Sequence, residues 1–223
     1  MTTRLLLVRH GATTLTAEDR FAGSTEVELS DEGRRQAQRL ADRLARQKIA
    51  AFYASPMKRT MDTAGIVAGP HGLTVTPRPG LKEIDHGRWE GHTRKEVEQK
   101  YSDEYATWEQ DPFTFAPQGG ESGLSVLARA LPVIREIVTA HPNSTVAVIS
   151  HKATLRLLLC SILGIDARGY RDALDQSPAA LNVLDFKDVV RARLVLFNDV
   201  SHYEGVPHRT TPRLSPWWDI DAR

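Results

Sequence analysis

The sequence has few of the residues that several common kinds of protein site require. Cys160 is the single cysteine among 223 residues, which excludes an internal disulfide and a cysteine-built zinc site and favours a reducing, cytoplasmic location. The 29 lysines and arginines nearly balance 28 acidic residues, so the charge does not indicate a general nucleic-acid binder. No apolar run approaches the roughly 20 residues that a membrane helix needs, and the N-terminal run stops at Arg9, too early for a signal peptide. We therefore expect a soluble globular protein with neither a nucleic-acid nor a membrane partner.

Apolar runs and helical patterns alternate along the chain, and most of the apolar runs have the length of a buried strand. The predicted strands are residues 5–8, 51–54, 73–76, 145–149, 181–186 and 190–197. Helices are predicted after the Ser30 cap and from Pro56, then as one or two over residues 93–110, and over 124–139 and 153–163. This alternation predicts an α/β fold, a three-layer α/β/α sandwich around a mostly parallel mixed sheet, with an antiparallel pair near its end.

The domain organisation that we expect is one globular domain over residues 1–204 and an irregular tail over residues 205–223. The tail contains three prolines and the adjacent Trp217 and Trp218. Large aromatic side chains dominate both protein cores and protein interfaces, so the pair fits either a packing anchor or a contact within a homodimer.

Two histidines follow predicted strands at equivalent positions. Arg9 and His10 follow the first strand, and Ser150 and His151 follow the strand at residues 145–149 in the same manner. In open α/β sheets, ligands bind outside the carboxyl ends of the strands. Either histidine alone fits an ordinary loop residue, but the matched pair with an adjacent arginine indicates a binding or catalytic site.

Charged residues near two other strand ends have both a functional and an ordinary interpretation. Lys58 and Arg59 lie at a predicted helix N-terminus, where the backbone dipole disfavours cations unless an anion lies opposite. The alternative is a pair of solvated basic side chains. Glu83 lies in a loop with Asp85 and His86, where a carboxyl group can transfer protons, although the loop could equally be a solvated acidic segment.

A series of short blocks, in order along the chain, resembles one known family. The first block is residues 7–13, which read Leu-Val-Arg-His-Gly-Ala-Thr. The others are residues 20–23, 29–33, 36–37, 55–60, 83, 120–122 and 150–151. Together they resemble the histidine phosphatase superfamily, with its phosphoglycerate-mutase-like fold, over about residues 4–203. A lone Arg-His-Gly would mean little, whereas the ordered set is specific.

The resemblance implies a catalytic role for five residues. His10 would be the nucleophile that forms a phosphohistidine, and Arg9, Arg59 and His151 would surround the transferring phosphoryl group. Glu83 would protonate the leaving oxygen and later take a proton from the attacking water. The cations would replace a metal ion, so the resemblance implies no metal and no cofactor. The catalytic domain would be residues 1–204.

The resemblance also implies a set of substrate-binding residues: Thr16, Gly23, Ser24, His86, Lys152 and His202. His86 and His202 would correspond to histidines that contact a substrate carboxylate in metal-independent phosphoserine phosphatases, although His202 could equally be an exposed tail residue. The sequence departs from the family at Thr16, where asparagine is common, and at Lys152, where glycine is usual. Lys152 adds a cation that could reach a second anionic group of the substrate.

The segments 83–91 and 115–122 are most similar to the phosphoserine phosphatases of the superfamily. We therefore expect a phosphomonoesterase acting on a small anionic phosphate ester, either phosphoserine-like or phosphoglycerate-like. The alternatives are a 2,3-bisphosphoglycerate-dependent phosphoglycerate mutase, an alpha-ribazole phosphatase and a non-catalytic docking module. Other phosphatase chemistries lack their motifs, because the sequence has no Cys-x5-Arg loop, no Gly-x-Ser-x-Gly elbow and no P-loop.

Overall fold

The computed structural model describes residues 2–15 and 20–204, and these contain a six-stranded mixed sheet in the order β3-β2-β4-β1-β5-β6. The strands are β1 (Thr3–Arg9), β2 (Ala51–Ala54), β3 (Val75–Pro77), β4 (Thr145–Ser150), β5 (Leu181–Phe186) and β6 (Ala192–Asp199). The first four in chain order run parallel, and β5 and β6 run antiparallel at one edge. This is the predicted arrangement of a mostly parallel sheet that ends in a hairpin.

Helices cover both faces of the sheet and confirm the three-layer prediction. The α-helices are α1 (Asp31–Leu44), α2 (Lys58–Ala68), α3 (Arg94–Lys100), α4 (Ser102–Gln110), α5 (Gly123–Ala140), α6 (Lys152–Leu163) and α7 (Tyr170–Ala173). Leu40 of α1 and Val67 of α2 pack with the core on one face. Ile134 of α5 and Leu158 of α6 pack with the core on the other. Because β1 and β4 lie in the middle, their central residues 5–8 and 146–149 are buried on both sides of the sheet and are all apolar.

Local signals at the helix ends act as the sequence predicts. The Ser30 side chain accepts the backbone N–H of Gly33 and caps α1. Gly164 follows α6 with a φ of 71°, a left-handed conformation that suits glycine, and ends the helix.

Three element boundaries differ from the prediction. The second helix starts at Lys58 rather than at Pro56, because Met57 is its extended N-cap residue. Its buried face carries Arg59, Thr60 and Thr63 beside the apolar Ala64, Val67 and Ala68, whereas Met61 is half-buried, so polar and apolar residues share the inward side. The third strand is displaced to Val75–Pro77, and the sixth starts at Ala192 because Asp188 accepts backbone N–H groups within a longer hairpin turn.

The segment between β3 and α5 forms a roof over the carboxyl end of the sheet. Trp89, Tyr105 and Trp108 cluster there with Phe21 and Val97. Within the described residues, no helix is long and apolar enough to span a membrane. Residues 205–223 lie outside the described residues, as do Thr16, Trp217 and Trp218, so the division into a domain and a tail remains a prediction.

Candidate active site

The two predicted histidines meet because their strands are neighbours. β1 and β4 are parallel, and their last residues, Arg9 and Ser150, pair in register. The residues that follow, His10 and His151, therefore leave the sheet side by side, with ring centroids 5.2 Å apart and planes inclined at 63°. Both rings are buried, at 6% and 0% exposure. The structure thus brings together the strand-end pair that the sequence indicated.

His10 is held as a neutral imidazole with a defined tautomer. Its Nδ1 lies 2.7 Å from the carbonyl oxygen of Gly11, and since a carbonyl can only accept, Nδ1 carries the proton. Burial, with the positive charges of Arg9 and Arg59, places the pKa of His10 well below its usual range. A lone pair therefore remains on Nε2, which is the requirement for a nucleophile.

Arg59 is anchored by the loop at residues 22–25. Its Nη1 donates to the carbonyl oxygen of Thr25 and its Nη2 to that of Gly23, both at 2.8 Å. Burial lowers the pKa of Arg59. Gly23 has no room for a side chain, because an added Cβ would lie 1.8 Å from the carbonyl oxygen of Ile84. The loop is therefore packed tightly enough to fix the guanidinium.

Glu90 organises the same loop from the opposite side. Its Oε1 accepts the backbone N–H groups of Gly23 and Ser24 at 2.9 Å, and its Oε2 accepts the Thr25 hydroxyl at 2.6 Å. Burial opposes ionisation, but these bonds and one from His86 keep the pKa of Glu90 below its usual value. Glu90 is thus a charged support for the Arg59 anchor.

Arg9 lies at the end of β1 and is almost fully buried. Its Nη1 donates to the carbonyl oxygen of Gln176 at 2.6 Å, whereas its Nε has no hydrogen-bond partner among the described residues. Burial and the nearby charge of Arg156 lower the pKa of Arg9 to about 10, so it is still a cation at neutral pH.

The Glu83 carboxylate lies at the N-terminus of α6. It accepts the backbone N–H groups of Ala153 and Thr154, each at 3.1 Å, and the Thr154 hydroxyl at 3.0 Å. A carboxylate at this position interacts favourably with the helix dipole and has its orientation fixed by several donors. Glu83 is therefore a rigidly placed carboxyl group that lines the same cavity as His10.

Protein carboxylates lie near the basic residues at both helix starts. At α6, Lys152 lies 4.0 Å from Asp175 in addition to its proximity to Glu83. At α2, the backbone N–H of Lys58 donates to Glu26 at 3.0 Å, and the Lys58 ammonium lies 3.3 Å from Asp62. Lys58 is therefore a surface ion-pair residue, whereas Arg59 points inwards.

A cavity of about 160 Å³ opens beside His10. The charged side chains in its wall are Arg9, Arg20, Arg59, Glu83, Lys152 and Arg171, which are five cations and one carboxylate. Phe21, Trp108 and Tyr170 supply aromatic surface to the same cavity. This combination can neutralise a phosphate dianion and still offer positive charge and apolar contact to the rest of a ligand.

The predicted substrate-binding residues fall at different places. Gly23, His86 and Lys152 line the cavity, and burial lowers the pKa of His86. Ser24 lines a neighbouring cleft that shares Glu83 with the cavity. Thr16 lies outside the described residues.

His202 lies away from the other predicted binding residues. Its ring contacts Tyr203, with centroids 4.9 Å apart, and its Nδ1 lies 3.4 Å from Arg43 of α1. Burial lowers the pKa of His202 to about 4. The structure therefore places His202 in the packing against α1 instead of among the cavity-lining residues, so it is neither an exposed tail residue nor a wall of the cavity.

Three residues of the site were not predicted from the sequence. Ser55 contacts His151, Glu90 holds the loop, and Arg171 enters the cavity from α7, stacked 4.4 Å over the Trp108 ring. Ser55 and Glu90 lie within or beside the family blocks, so they could have been singled out. Arg171 has no such signal, because α7 reaches the cavity only through the tertiary fold. Among the described residues, no group of three or more His, Cys, Asp or Glu side chains is arranged to hold a metal ion.

Comparison with known proteins identifies the family. The model of the histidine phosphatase superfamily (branch 1) matches residues 5–200, nearly the whole of the described chain. The chain belongs to the histidine phosphatase superfamily. The expected phosphoglycerate-mutase-like fold is likewise confirmed by its similarity to YhfR of Bacillus stearothermophilus, with a TM-score of 0.85 and 31% identity over 91% of this chain and 100% of that one.

Two relatives of this histidine phosphatase that cover about three quarters of both chains are named as phosphatases. Phosphoserine phosphatase 1 of Hydrogenobacter thermophilus is 37% identical over 163 residues, which are 73% of this chain and 77% of that protein. Glucosyl-3-phosphoglycerate phosphatase of Mycolicibacterium vanbaalenii is 32% identical over 169 residues, which are 73% and 75% of the two chains. The chain also matches mycobacterial proteins of which it spans 50% of the length. The protein is therefore a phosphatase that hydrolyses phosphoric monoesters.

Proposed function

We propose that this protein is a metal-independent phosphomonoesterase that works through a phosphohistidine at His10 and acts on small anionic phosphate esters. The observation that carries the proposal is the pairing of two buried imidazoles, 5.2 Å apart, beside Arg9, Arg59 and the fixed carboxyl group of Glu83. Nucleophile, charge stabilisation and proton transfer are then all available in one cavity.

In the first step, His10 Nε2 attacks the phosphorus atom and the bond from phosphorus to the leaving oxygen breaks. Glu83 gives its proton to that oxygen, so the product leaves as an alcohol. Negative charge on the equatorial oxygens is stabilised by Arg9 and Arg59, whose planar guanidinium groups can each bind two oxygens. His151 donates a further hydrogen bond to the same phosphoryl oxygens.

In the second step, water attacks the phosphohistidine. The Glu83 carboxylate takes a proton from the water, the bond between nitrogen and phosphorus breaks, and the electron pair returns to His10 Nε2. Inorganic phosphate leaves and Glu83 is protonated again, ready for the next substrate. The low pKa of His10, caused by burial and by Arg9 and Arg59, favours its neutral form as the leaving group.

Metal independence is supported by the five cations of the cavity wall, which supply the positive charge that Mg²⁺ provides in other phosphoryl-transfer enzymes. We expect hydrolysis to continue in excess EDTA. A cytoplasmic location is supported by the single, buried Cys160. Both remain proposals, as does a homodimer, for which sedimentation velocity is the direct measurement.

The substrate class is inferred from Lys152, which stands where the family usually has glycine. Lys152 lies in the cavity wall, with its side chain 19% exposed and 4.0 Å from Asp175. Two relatives are named as phosphatases of phosphoserine and of glucosyl-3-phosphoglycerate. We propose that Lys152 binds a second anionic group of the substrate, with His86 and Arg171 bordering the same space.

Phosphoserine and phosphoethanolamine test this assignment because they differ by one carboxylate. In the wild type, kcat/KM should be higher for phosphoserine. Lys152→Gln should lower the ratio of the two kcat/KM values about 10- to 100-fold, since a charge-assisted contact contributes about 1.5–3 kcal/mol, while phosphoethanolamine hydrolysis stays nearly unchanged. Lys82→Gln, which changes a lysine of the neighbouring cleft, is the matched control.

An unchanged ratio in Lys152→Gln would contradict the second anion contact while leaving the phosphatase assignment intact. Isomerisation of 3-phosphoglycerate that exceeds hydrolysis and depends on 2,3-bisphosphoglycerate would instead contradict the proposed hydrolase activity itself.

A further inference from the structure

Ser55 connects the end of β2 to the second histidine of the site. It is fully buried, and its Oγ lies 2.8 Å from His151 Nε2. The same Oγ accepts the backbone N–H of Met57 at 3.4 Å. Within the described part of the chain, the Ser55 hydroxyl proton has no acceptor other than His151 Nε2.

The second nitrogen of the His151 ring is in the opposite situation. Nδ1 is buried and has no hydrogen-bond partner among the described residues. Burial, together with His10, Arg59 and Arg9, keeps the pKa of His151 well below its usual range, so the ring is neutral and carries one N–H. The question is which nitrogen carries that proton.

The hydrogen bonds favour one answer. A proton on Nε2 would leave the Ser55 hydroxyl without an acceptor and would leave the buried Nδ1 lone pair without a donor among the described residues. A proton on Nδ1 lets Ser55 donate to Nε2 and leaves Nδ1–H as a donor. In buried sites, the arrangement that leaves fewer polar groups unpaired is preferred, and the bond made by one ring nitrogen determines which nitrogen is protonated.

We propose that Ser55 is a positioning residue whose hydroxyl donates to His151 Nε2 and holds the ring proton on Nδ1, from which His151 donates to the phosphoryl group bound at His10. The functional half of this inference rests on the proposed phosphatase reaction. The tautomer itself is a property of the unmodified protein and can be measured without turnover.

The first test is the His151 tautomer in the wild-type protein, labelled with 15N-histidine and saturated with inorganic phosphate. The ring nitrogens are identified by their 15N shifts and two-bond couplings, and His151 is assigned by the loss of its signals in His151→Asn. We expect a protonated Nδ1 and an unprotonated Nε2. A protonated Nε2 would overturn the proposal, whatever the activity of the enzyme.

The second test compares Ser55→Ala with Ser150→Ala. Ser150 is also fully buried and precedes His151 in the chain, but its hydroxyl donates to the Leu81 carbonyl at 2.9 Å. We expect Ser55→Ala to lower kcat about 10- to 100-fold, to change KM less, and to give signals of a protonated Nε2, because a donor to the transition state is misplaced. Ser150→Ala should keep the wild-type tautomer.

Retention of protonated Nδ1 in Ser55→Ala would overturn the role of Ser55. If Ser55→Ala does not fold, the wild-type tautomer decides. A wild-type enzyme that releases no phosphate from phosphoserine would contradict the proposed function instead, and the tautomer measurement would be unaffected.

Discussion

At the scale of single residues, the site depends on groups whose protonation is set by their surroundings. His10 and His151 are buried next to cations, which keeps the pKa of each well below its usual range and each ring neutral. Glu83 is not buried with them, but is held by the first backbone N–H groups of α6. The different roles of His10 as nucleophile and Glu83 as proton donor therefore follow from the different surroundings of the two side chains.

Glu83→Gln separates the two chemical steps. The amide that replaces the carboxyl group cannot give or take the proton, so hydrolysis of alkyl phosphates such as phosphoserine should fall at least about 100-fold. p-Nitrophenolate leaves without a proton, so p-nitrophenyl phosphate should still phosphorylate His10, and slow attack by water should then produce a burst of p-nitrophenolate followed by a stall. Stopped-flow absorbance measures both phases.

Asp85→Asn is the control for this experiment, because Asp85 lies two residues away and its side chain accepts the Gly87 backbone N–H at 2.8 Å. It should show wild-type kinetics. A Glu83→Gln enzyme with steady wild-type turnover of both esters would show that Glu83 is not the proton donor.

At the scale of elements, the strands, the long helices and the two helices within residues 93–110 could be predicted, whereas the side chains that reach the cavity from distant elements could not. β1, β4 and α1 are encoded locally, by continuous apolar runs and by the stripe Ala37, Leu40, Ala41, Leu44 behind the Ser30 cap. The apolar stripe of α2 is buried as predicted at Ala64 and Ala68, whereas the burial of Arg59 depends on its bonds to a distant loop, which no local pattern shows. Arg171 reaches the cavity through pairing with Glu109 of α4, which no local signal shows.

The loop at residues 22–25 provides a prediction at this scale. In Gly23→Ala, the new Cβ would overlap the Ile84 carbonyl, so the loop must move. The carbonyl oxygens of Gly23 and Thr25, which accept hydrogen bonds from Arg59, would move with it. We expect about 1–3 kcal/mol lower stability and at least about 10-fold lower kcat/KM. Chemical denaturation and phosphoserine hydrolysis measure the two effects.

Gly65→Ala is the matched control, because Gly65 lies in α2 with nothing within 4 Å of an added Cβ. It should raise stability by about 0.4–1 kcal/mol and leave activity unchanged. Equal behaviour of the two variants would mean that the loop is not tightly packed against Ile84.

At the scale of the whole molecule, the buried imidazoles couple folding to pH. The pKa values of His10, His86, His151 and His202 are all lowered in the folded state, chiefly by burial. Unfolding exposes these rings, which then bind protons at the ordinary histidine pKa of about 6.5. Because the unfolded state binds more protons, acid favours unfolding.

The free energy of unfolding should therefore decrease as the pH falls below about 6.5, by up to about 1.4 kcal/mol per pH unit for each ring. For His202 the decrease extends down to its folded-state pKa of about 4. Urea denaturation at about pH 7.5 and about pH 5 measures this. A stability at the lower pH equal to or above that at the higher one would contradict the burial of neutral histidines.

The central claim is that phosphate passes through a covalent bond to His10, and it is tested most directly by trapping that bond. Wild-type enzyme mixed with p-nitrophenyl phosphate and quenched in base should carry phosphate on the peptide that contains His10, because phosphohistidine survives alkaline conditions. His10→Ala should carry none and should release no phosphate, whereas His92→Ala should match the wild type. Phosphate found on another residue, or undiminished turnover by His10→Ala, would contradict the account.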